Sequence, residues 1–186
     1  MEEEIKRALE TLRRGGVILY PTDTVWGLGC DATDQKAVSR IYEIKRRADA
    51  KSMLALVGSR DMLSRWVENI PQTADMLMDV AVEPLTIIYD RPRGMAPNLP
   101  APDGSMGIRV CSDDFCSRLC LRLGHPLVST SANVSGEPTP KSYSEISREI
   151  IGNADYVIGI RHEERTQHRP SAIIKVCDDE TMKVIR

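Results

Sequence analysis

The feature that most constrains the fold is the alternation of short apolar runs with helix-patterned segments along the chain. Strands are predicted where apolar and β-branched residues form short runs, at 17–20, 53–57, 85–89, 106–111, 126–129, 156–160, 171–176 and 182–186. Helices are predicted where apolar residues recur with helical spacing, at 2–14, 34–46, 61–67, 72–80, 115–123 and 142–151. Because the two kinds of segment interleave without a fixed repeat, we predict a single α/β domain, residues 1–186, with a mixed sheet.

The composition and the N-terminal segment exclude several classes of protein. A net charge of −2 and a pI of about 6.0 argue against a protein that coats nucleic acid non-specifically. No apolar run reaches the roughly 18 residues of a membrane span, and the N-terminal MEEEIKR is acidic and helical in pattern, unlike a signal peptide. The five cysteines form no CxxC pair, so we interpret them as reduced thiols. We therefore expect a cytoplasmic protein without a membrane span.

A glycine-rich segment, Gly27-Leu28-Gly29, follows the first predicted strand and resembles a dinucleotide-binding fingerprint. It fits GxGxxA, and Asp49 lies about twenty residues further on. However, six residues separate the strand from Gly27 and the next helix begins only near Gln35, whereas the fingerprint needs strand, tight turn and helix in immediate succession. We therefore interpret the segment as a turn and exclude a dinucleotide site. The chain also lacks the GxxxxGK[ST] motif of a P-loop.

The segment Ser129-Thr130-Ser131-Ala132-Asn133 supplies a row of hydroxyls and a carboxamide after a predicted strand. No GxSxG elbow surrounds its serines, and the three histidines of the chain form no recognisable triad with them. Ligands bind at such strand ends in α/β sheets, and these groups suit phosphate oxygens. A loop whose side chains satisfy its own backbone is the other interpretation, and the residues alone leave both open.

Metal ligation is weakly indicated. Asp23 and Asp31 could hold Mg²⁺ beside a polyphosphate, but isolated carboxylates near turns are more often caps. Cys116, Cys120 and His125 could ligate a metal, although the i, i+4 spacing of the two cysteines on an apolar helix favours buried thiols. We therefore predict no protein ligand of a metal ion and expect any Mg²⁺ to arrive with a nucleotide.

Four cations, Lys45, Arg46, Arg47 and Lys51, cluster where the second predicted helix ends, in a chain of negative net charge. Our hypothesis is that they hold a phosphate-bearing substrate. The alternative is that they are helix-end cations, which the helix macrodipole favours without any ligand. The residue pattern alone does not choose between the two.

The order of several segments resembles the YrdC/TsaC family of threonylcarbamoyl-AMP synthases over nearly the whole chain. These segments are YPTDTVWGLGCDA, IYEIKRRADAKSM, PLTIIY, GIRV, PLVSTSANVSG, PSAIIKV and VIR. The specific part is the combination of a KxR pattern after PTDT and GLG with an SxN pattern before SG. The resemblance implies a twisted mixed α/β sheet curled around a concave basic groove.

The resemblance also implies a reaction. L-threonine, bicarbonate and ATP, the last with Mg²⁺, give L-threonylcarbamoyl adenylate and pyrophosphate, so the protein would be a nucleotidyltransferase. The product serves the N6-threonylcarbamoyl modification of adenosine 37 in tRNA, which implies a downstream tRNA threonylcarbamoyl transfer machinery. A weak contact with tRNA or other double-stranded RNA is compatible with such a groove.

Site residues carry over by position from the resemblance. Lys45 and Arg47 match the KxR pattern and are assigned to catalysis. The positions assigned to nucleotide binding are Lys45, Arg47, Lys51, Thr86, Arg109, Ser131, Asn133, Ser171 and Arg186. The positions assigned to threonine binding are Thr22, Thr24 and Trp26.

The chain departs from the family pattern in one segment. The family reads KGRPxxKPL where this chain has KRRADAKSM, so both prolines are absent and Arg46 replaces a glycine. An alternative function is therefore a YrdC-like RNA- or nucleotide-binding paralogue without synthase turnover. The intact Ser131-Ala132-Asn133 favours the synthase. A carbamoyltransferase of the hydrogenase-maturation type needs further domains that 186 residues do not accommodate.

Overall fold

The computed structural model describes residues 1–46, 53–164 and 170–186. Its helices are α1 Glu2–Arg13, α2 Gln35–Ile44, α3 Arg60–Trp66, α4 Gln72–Val80, α5 Asp114–Leu123 and α6 Arg148–Asn153, with a 3₁₀ turn at Tyr143–Glu145. Its strands are β1 Ile18–Tyr20, β2 Gly27–Gly29, β3 Leu54–Val57, β4 Leu85–Tyr89, β5 Met106–Val110, β6 Leu127–Ser131, β7 Tyr156–Val157, β8 Ala172–Val176 and β9 Met182–Val184. Most of these elements lie within two residues of their predicted bounds.

The strands described form one mixed sheet in the order β7-β1-β2-β6-β3-β5-β4-β8-β9. Three neighbouring pairs are parallel, namely β1 with β7, β3 with β5 and β4 with β8, and the others are antiparallel. Along β1 the side chains alternate between two hydrophobic clusters: Ile18 and Tyr20 join one, and Leu19 joins the other. Successive strand residues point to opposite faces, so the sheet has a core on each face. The predicted α/β class with a mixed sheet is confirmed.

The glycine-rich segment is a strand, and its prediction as a turn was wrong. Strand β2 lies between β1 and β6, with Gly27 opposite both Tyr20 and Ser131. A Cβ added at Gly29 would lie 2.6 Å from the Val128 carbonyl oxygen and 2.7 Å from the Tyr20 ring. The glycine is therefore needed for close packing inside the sheet rather than for a turn, a use that the sequence pattern does not distinguish.

Pairing with β2 also lengthens β6. The strand was predicted to end at residue 129, but it continues to Ser131 because Thr130 pairs with Leu28 and Ser131 with Gly27.

The predicted helix 142–151 is divided into the 3₁₀ turn and α6, because Ile146 between them has an extended backbone and Ser147 caps the new helix. The predicted strand 156–160 is reduced to Tyr156–Val157.

The proline- and glycine-rich connection, residues 91–105, is of a kind that is often functional or mobile. In the structure it packs against the body of the domain. The backbone N–H of Ala96 donates to the Ala32 carbonyl at 2.8 Å, and Ala96 and Leu99 are buried. Near its end, the Asp103 carboxylate accepts hydrogen bonds from Ser105 and, at 3.1 Å, from Lys175 on β8. None of the helices in the described ranges has the length and apolar character needed to cross a bilayer.

Candidate functional site

A cavity of about 300 Å³ opens beside the carboxyl end of β6. Residues of β3, β4, β5 and β8 also line it. Its polar lining comes from residues with hydroxyl or guanidinium side chains: Thr24, Thr86, Arg109, Ser129, Thr130, Ser131, Thr139, Ser171 and Arg186. Its apolar lining includes Val25, Met53, Leu54, Ile88 and Ile173. Within the part of the chain that the structure describes, no Asp or Glu side chain lines the cavity. Such a lining suits a ligand that carries negative charge and several oxygen atoms.

The cavity brings together half of the residues predicted for the site. Of the predicted site residues, Thr24, Thr86, Arg109, Ser131, Ser171 and Arg186 line it, although they are spread over the chain. Thr22, Trp26, Lys45 and Asn133 lie outside the lining, and Arg47 and Lys51 lie outside the described residues. The binding roles of all of these residues stay predictions.

The turn that follows β1 is shaped by Thr22. Its hydroxyl accepts a hydrogen bond from the Thr24 backbone N–H at 3.0 Å and donates one to the Val25 carbonyl at 2.8 Å. Hydroxyls of this kind replace backbone groups in closing a turn. Thr22 therefore presents Thr24 and Val25 to the cavity, and Thr24 Oγ1 lies 3.4 Å from a terminal nitrogen of Arg109.

Arg109 is buried and paired. Its side chain is 3% exposed, and its Nη2 lies 2.8 Å from Oδ1 of Asp23, whose side chain is 9% exposed. Sequence reasoning considered Asp23 only as a metal ligand or a cap. The position of Asp23 between two threonines predicted for the site could have indicated a role there. Its contact with Arg109 on β5, however, depends on the tertiary fold.

Lys45 connects the end of α2 to the segment after β6. Its ammonium group donates to the backbone carbonyls of Ser131 at 2.5 Å and Asn133 at 2.6 Å, and the residue is 2% exposed. The Lys45 carbonyl in turn accepts the N–H of Ser135 at 2.9 Å. Two motifs that are far apart in the sequence, KxR and SxN, are therefore joined by this one side chain.

Asn133 shapes the same segment. Its amide nitrogen donates to the carbonyls of Val134 at 2.9 Å and Glu137 at 2.8 Å. Among the residues that the structure describes, its Oδ1 is buried without a hydrogen-bond partner. The interpretation that this loop's side chains satisfy its own backbone holds for Asn133, whereas Ser129, Thr130 and Ser131 line the cavity and their contact with phosphate stays a prediction.

Another wall of the cavity contains a short chain of hydrogen bonds that joins Thr86, Ser171 and Arg186. Oγ1 of Thr86 and Oγ of Ser171 lie 2.8 Å apart, and both residues are buried. The Arg186 guanidinium donates to the Ser171 carbonyl from Nε at 3.2 Å and from Nη2 at 3.1 Å. Arg186, which is exposed, is thereby held at the rim of the site.

Trp26 belongs to an aromatic cluster that sequence reasoning missed. Its ring centroid lies 5.1 Å from that of Tyr143 and 5.4 Å from that of His162. The Tyr143 and His162 rings are stacked, with centroids 3.8 Å apart and an angle of 7° between their planes. Trp26 itself is 6% exposed and joins the core beneath the PTDT turn. No sequence pattern placed His162 there, because the contact depends on the tertiary fold.

The described residues contain no group of three or more His, Cys, Asp or Glu side chains arranged to hold a metal ion. Asp31 accepts hydrogen bonds from the backbone N–H and the hydroxyl of Thr33, two residues on, and lies 2.7 Å from His125 Nδ1. Cys116 and Cys120 are buried, and their thiols donate to backbone carbonyls. The interpretation of these two cysteines as buried thiols is confirmed. Burial likewise raises the pKa of the Cys30 thiol well above its usual value.

Comparison with known proteins places this geometry in a family. The Sua5/YciO/YrdC family, described as "Telomere recombination", matches residues 10–186. The threonylcarbamoyl-AMP synthase of Xanthomonas euvesicatoria is 35% identical over 158 residues, which cover 83% of this chain and 84% of that protein.

Two solved structures are similar to the fold. E. coli YciO has a TM-score of 0.85 and 28% identity, over 100% of this chain and 89% of that one. P. abyssi Sua5 complexed with L-threonine has a TM-score of 0.81 and 26% identity; the match covers 94% of this chain but about half, 51%, of the Sua5 chain. The family match and the identity to curated relatives together show that this chain belongs to the Sua5/YciO/YrdC family.

Proposed function

We propose that this protein is a threonylcarbamoyl-AMP synthase, which converts L-threonine, bicarbonate and ATP into L-threonylcarbamoyl adenylate and pyrophosphate. The observation that carries the proposal is the cavity. It combines an arginine buried beside the PTDT turn with a wall of hydroxyl-bearing residues and a second arginine, and no Asp or Glu side chain lines it among the described residues. The similarity to relatives named for this activity supports the same reaction.

The chemistry explains why such a cavity is needed. The threonine amine adds to CO₂ derived from bicarbonate, and the resulting carbamate oxygen attacks the α-phosphorus of ATP while pyrophosphate leaves. Two anions must approach each other, which costs about 4 kcal/mol for unit charges about 4 Å apart at an effective dielectric constant of about 20. Cations and hydroxyl donors fixed around the reacting atoms offset that repulsion, and no covalent nucleophile is required.

Two ends of the cavity suit the two larger substrates. Thr24 and Arg109 lie together at the PTDT turn, so we assign this end to threonine and the Arg109 guanidinium to its carboxylate. This changes the role of Arg109, which the sequence resemblance assigned to the nucleotide. P. abyssi Sua5 has been solved as an L-threonine complex, which supports threonine as the ligand of this family fold.

We assign the hydroxyls of β6 and of the Thr86–Ser171 wall, with Arg186, to the nucleotide. Hydroxyl groups donate well to phosphate oxygens but do not replace the charge of a metal ion. Since no Asp or Glu side chain is found in the described lining, we propose that Mg²⁺ enters as part of the MgATP substrate, held mainly by phosphates and water. Lys45, Arg47 and Lys51 are the further cations proposed for the triphosphate.

The product determines what must follow. L-threonylcarbamoyl adenylate is a mixed anhydride, which water hydrolyses, so a transfer enzyme must accept it promptly. We propose that the acceptor is adenosine 37 of tRNA and that the tRNA threonylcarbamoyl transfer machinery is the downstream partner. Any direct contact of this chain with tRNA would be weak, consistent with its net charge of −2.

Pyrophosphate release tests the proposed function. The protein is incubated with ATP, Mg²⁺, bicarbonate and L-threonine, and each component is omitted in turn. Release that requires both threonine and bicarbonate, with the adenylate detected by mass spectrometry, is the expected result. Release that does not depend on threonine would contradict the synthase, and binding of ATP without release would indicate a nucleotide-binding paralogue.

A further inference from the structure

Asp23 lies in the PTDT turn but does not line the cavity, and its carboxylate is fully engaged. Oδ1 lies 2.8 Å from Nη2 of Arg109, and Oδ2 accepts a hydrogen bond of 3.0 Å from the hydroxyl of Ser112. The turn therefore contacts β5 at Arg109 and the residue after Cys111, through one carboxylate. Each oxygen has its own partner, which fixes the plane of the carboxylate as well as its position.

The Asp23–Arg109 ion pair is buried, so each charge depends on the other. The side chains of Arg109 and Asp23 are 3% and 9% exposed, so the charge of each is compensated mainly by the other. The guanidinium also lies 3.4 Å from Thr24 Oγ1 through the same Nη2 atom. In the described part of the chain its Nε is buried without a hydrogen-bond partner. The contacts that hold the guanidinium are thus made through Nη2, and they set the orientation of the whole planar group.

We propose that Asp23 is a positioning residue for the threonine substrate: it orients Arg109 so that the guanidinium meets the threonine carboxylate in one geometry. The proposal rests on the synthase function, because it concerns the threonine end of the same cavity. Arginine binds a carboxylate through a planar fork, so its affinity depends on the plane of the guanidinium as well as on its charge. A displacement of about 1 Å at such a site can reduce the rate by about a hundredfold.

The same contacts argue against Asp23 as a ligand of Mg²⁺. One of its oxygens faces a cation and the other accepts a hydrogen bond from a hydroxyl, so a metal ion would compete with one of these partners for the carboxylate. A metal ion would also lie next to a buried guanidinium, which repels it. The role of Asp23 is therefore to compensate and orient Arg109.

The experiment compares Asp23→Asn, Asp23→Glu and Ser112→Ala with the wild type. Pyrophosphate release is measured with threonine varied at saturating MgATP, and with MgATP varied at saturating threonine. For Asp23→Asn we expect the KM for threonine to rise about tenfold or more and the KM for ATP to change by less than about twofold. Asp23→Glu restores the charge and should recover part of the threonine KM, and Ser112→Ala should raise it a few-fold.

A matched control separates positioning from a general loss of structure. Asp113 has a side chain that is 7% exposed, pairs with Arg161 and caps α5, but does not line the cavity. Asp113→Asn should lower the melting temperature and leave the threonine KM unchanged. A merely structural Asp23 would behave in the same way, lowering the active fraction without moving either KM.

Three results of this experiment would overturn the positioning role of Asp23 or the synthase function. A folded Asp23→Asn protein with an unchanged threonine KM, or with both KM values raised alike, would overturn the proposal. If Asp23→Asn does not fold, Ser112→Ala decides instead, because it keeps the ion pair and removes only the hydroxyl; an unchanged threonine KM in that variant overturns the proposal. A wild type without threonine-dependent release would refute the synthase itself, which is a different result.

Discussion

The two arginines of the cavity are held in opposite ways. Arg109 is 3% exposed and is paired with a buried carboxylate, whereas Arg186 is exposed and is held through the Ser171 carbonyl, which has no net charge. Arg109 therefore has its position and its counter-charge before any ligand arrives. Arg186 lies exposed at the rim, and in the described part of the chain no Asp or Glu side chain forms an ion pair with it.

This difference indicates two kinds of electrostatic contribution. A buried, paired guanidinium needs little reorganisation when a ligand binds, so it contributes orientation. An exposed guanidinium that pairs with no Asp or Glu side chain attracts anions from solution, and that attraction weakens as the salt concentration rises because the Debye length falls to about 8 Å at 0.15 M. Orientation matters most for a small substrate such as threonine, and attraction matters most for a polyanion such as ATP.

The largest effect is expected from Arg109→Met. Asp23 would be left buried without a counter-ion, so we expect the free energy of unfolding to fall by about 3–5 kcal/mol. We also expect kcat/KM for threonine to fall by about a hundredfold or more, since an oriented donor is lost. Chemical denaturation and pyrophosphate release measure the two effects.

The double variant Arg109→Met/Asp23→Leu is the control for this change. It replaces the ion pair with apolar side chains, a change that is often neutral or stabilising in buried sites. We expect stability to recover while activity stays lost. Recovery of both would show that Arg109 serves the fold alone, and the contrast with Arg186 would then have no bearing on catalysis.

A smaller effect on activity is expected from Lys45→Met, which tests a third cation that is buried like Arg109 but faces backbone carbonyls. The carbonyls of Ser131 and Asn133 would lose a donor, at a cost of about 1–3 kcal/mol for each group left unpaired. The segment after β6 should loosen and the KM for ATP should rise. Lys36→Met, an exposed lysine on the same helix, is the control and should change neither quantity.

These contacts show where sequence reasoning succeeded and where it could not. The strands and helices follow from apolar patterns, so β4 was predicted with both bounds correct and α4 likewise. The resemblance named Thr24, Arg109 and Arg186, and the structure gathers them around one cavity. The Asp23–Arg109 pair joins residues whose approach depends on how β5 lies relative to the turn, and no spacing in the chain encodes that distance. Gly29 was misread for the same reason, because its packing against Tyr20 is a tertiary contact.

Arg186→Ala tests the other arginine of the cavity, and we expect it to change stability and activity less than Arg109→Met does. The two hydrogen bonds to the Ser171 carbonyl would be lost, yet the residue is exposed, so stability should change by less than about 1 kcal/mol. We expect the KM for ATP to rise about tenfold and its dependence on salt concentration to become weaker. Lys183→Ala removes an equal charge from β9 outside the cavity lining and should leave both unchanged. An unaltered salt dependence in Arg186→Ala would contradict the attractive role of Arg186.

The smallest effect concerns Asp103, an exposed carboxylate whose hydrogen bonds with Ser105 and Lys175 lower its pKa from 3.8 to about 2. The pKa of Asp103 is lower in the folded than in the unfolded protein, so its carboxylate stabilises the folded state. This stabilisation is fully present at pH values above the unfolded pKa of about 3.8, and it is lost as the pH falls through the folded pKa of about 2. Asp103→Asn should therefore lower the melting temperature slightly at neutral pH, and the difference from the wild type should shrink below about pH 4. The buried Asp23–Arg109 contact should make the larger contribution at neutral pH. A difference that stays constant down to about pH 2 would show that the Asp103 carboxylate does not help to hold the 91–105 connection against β8.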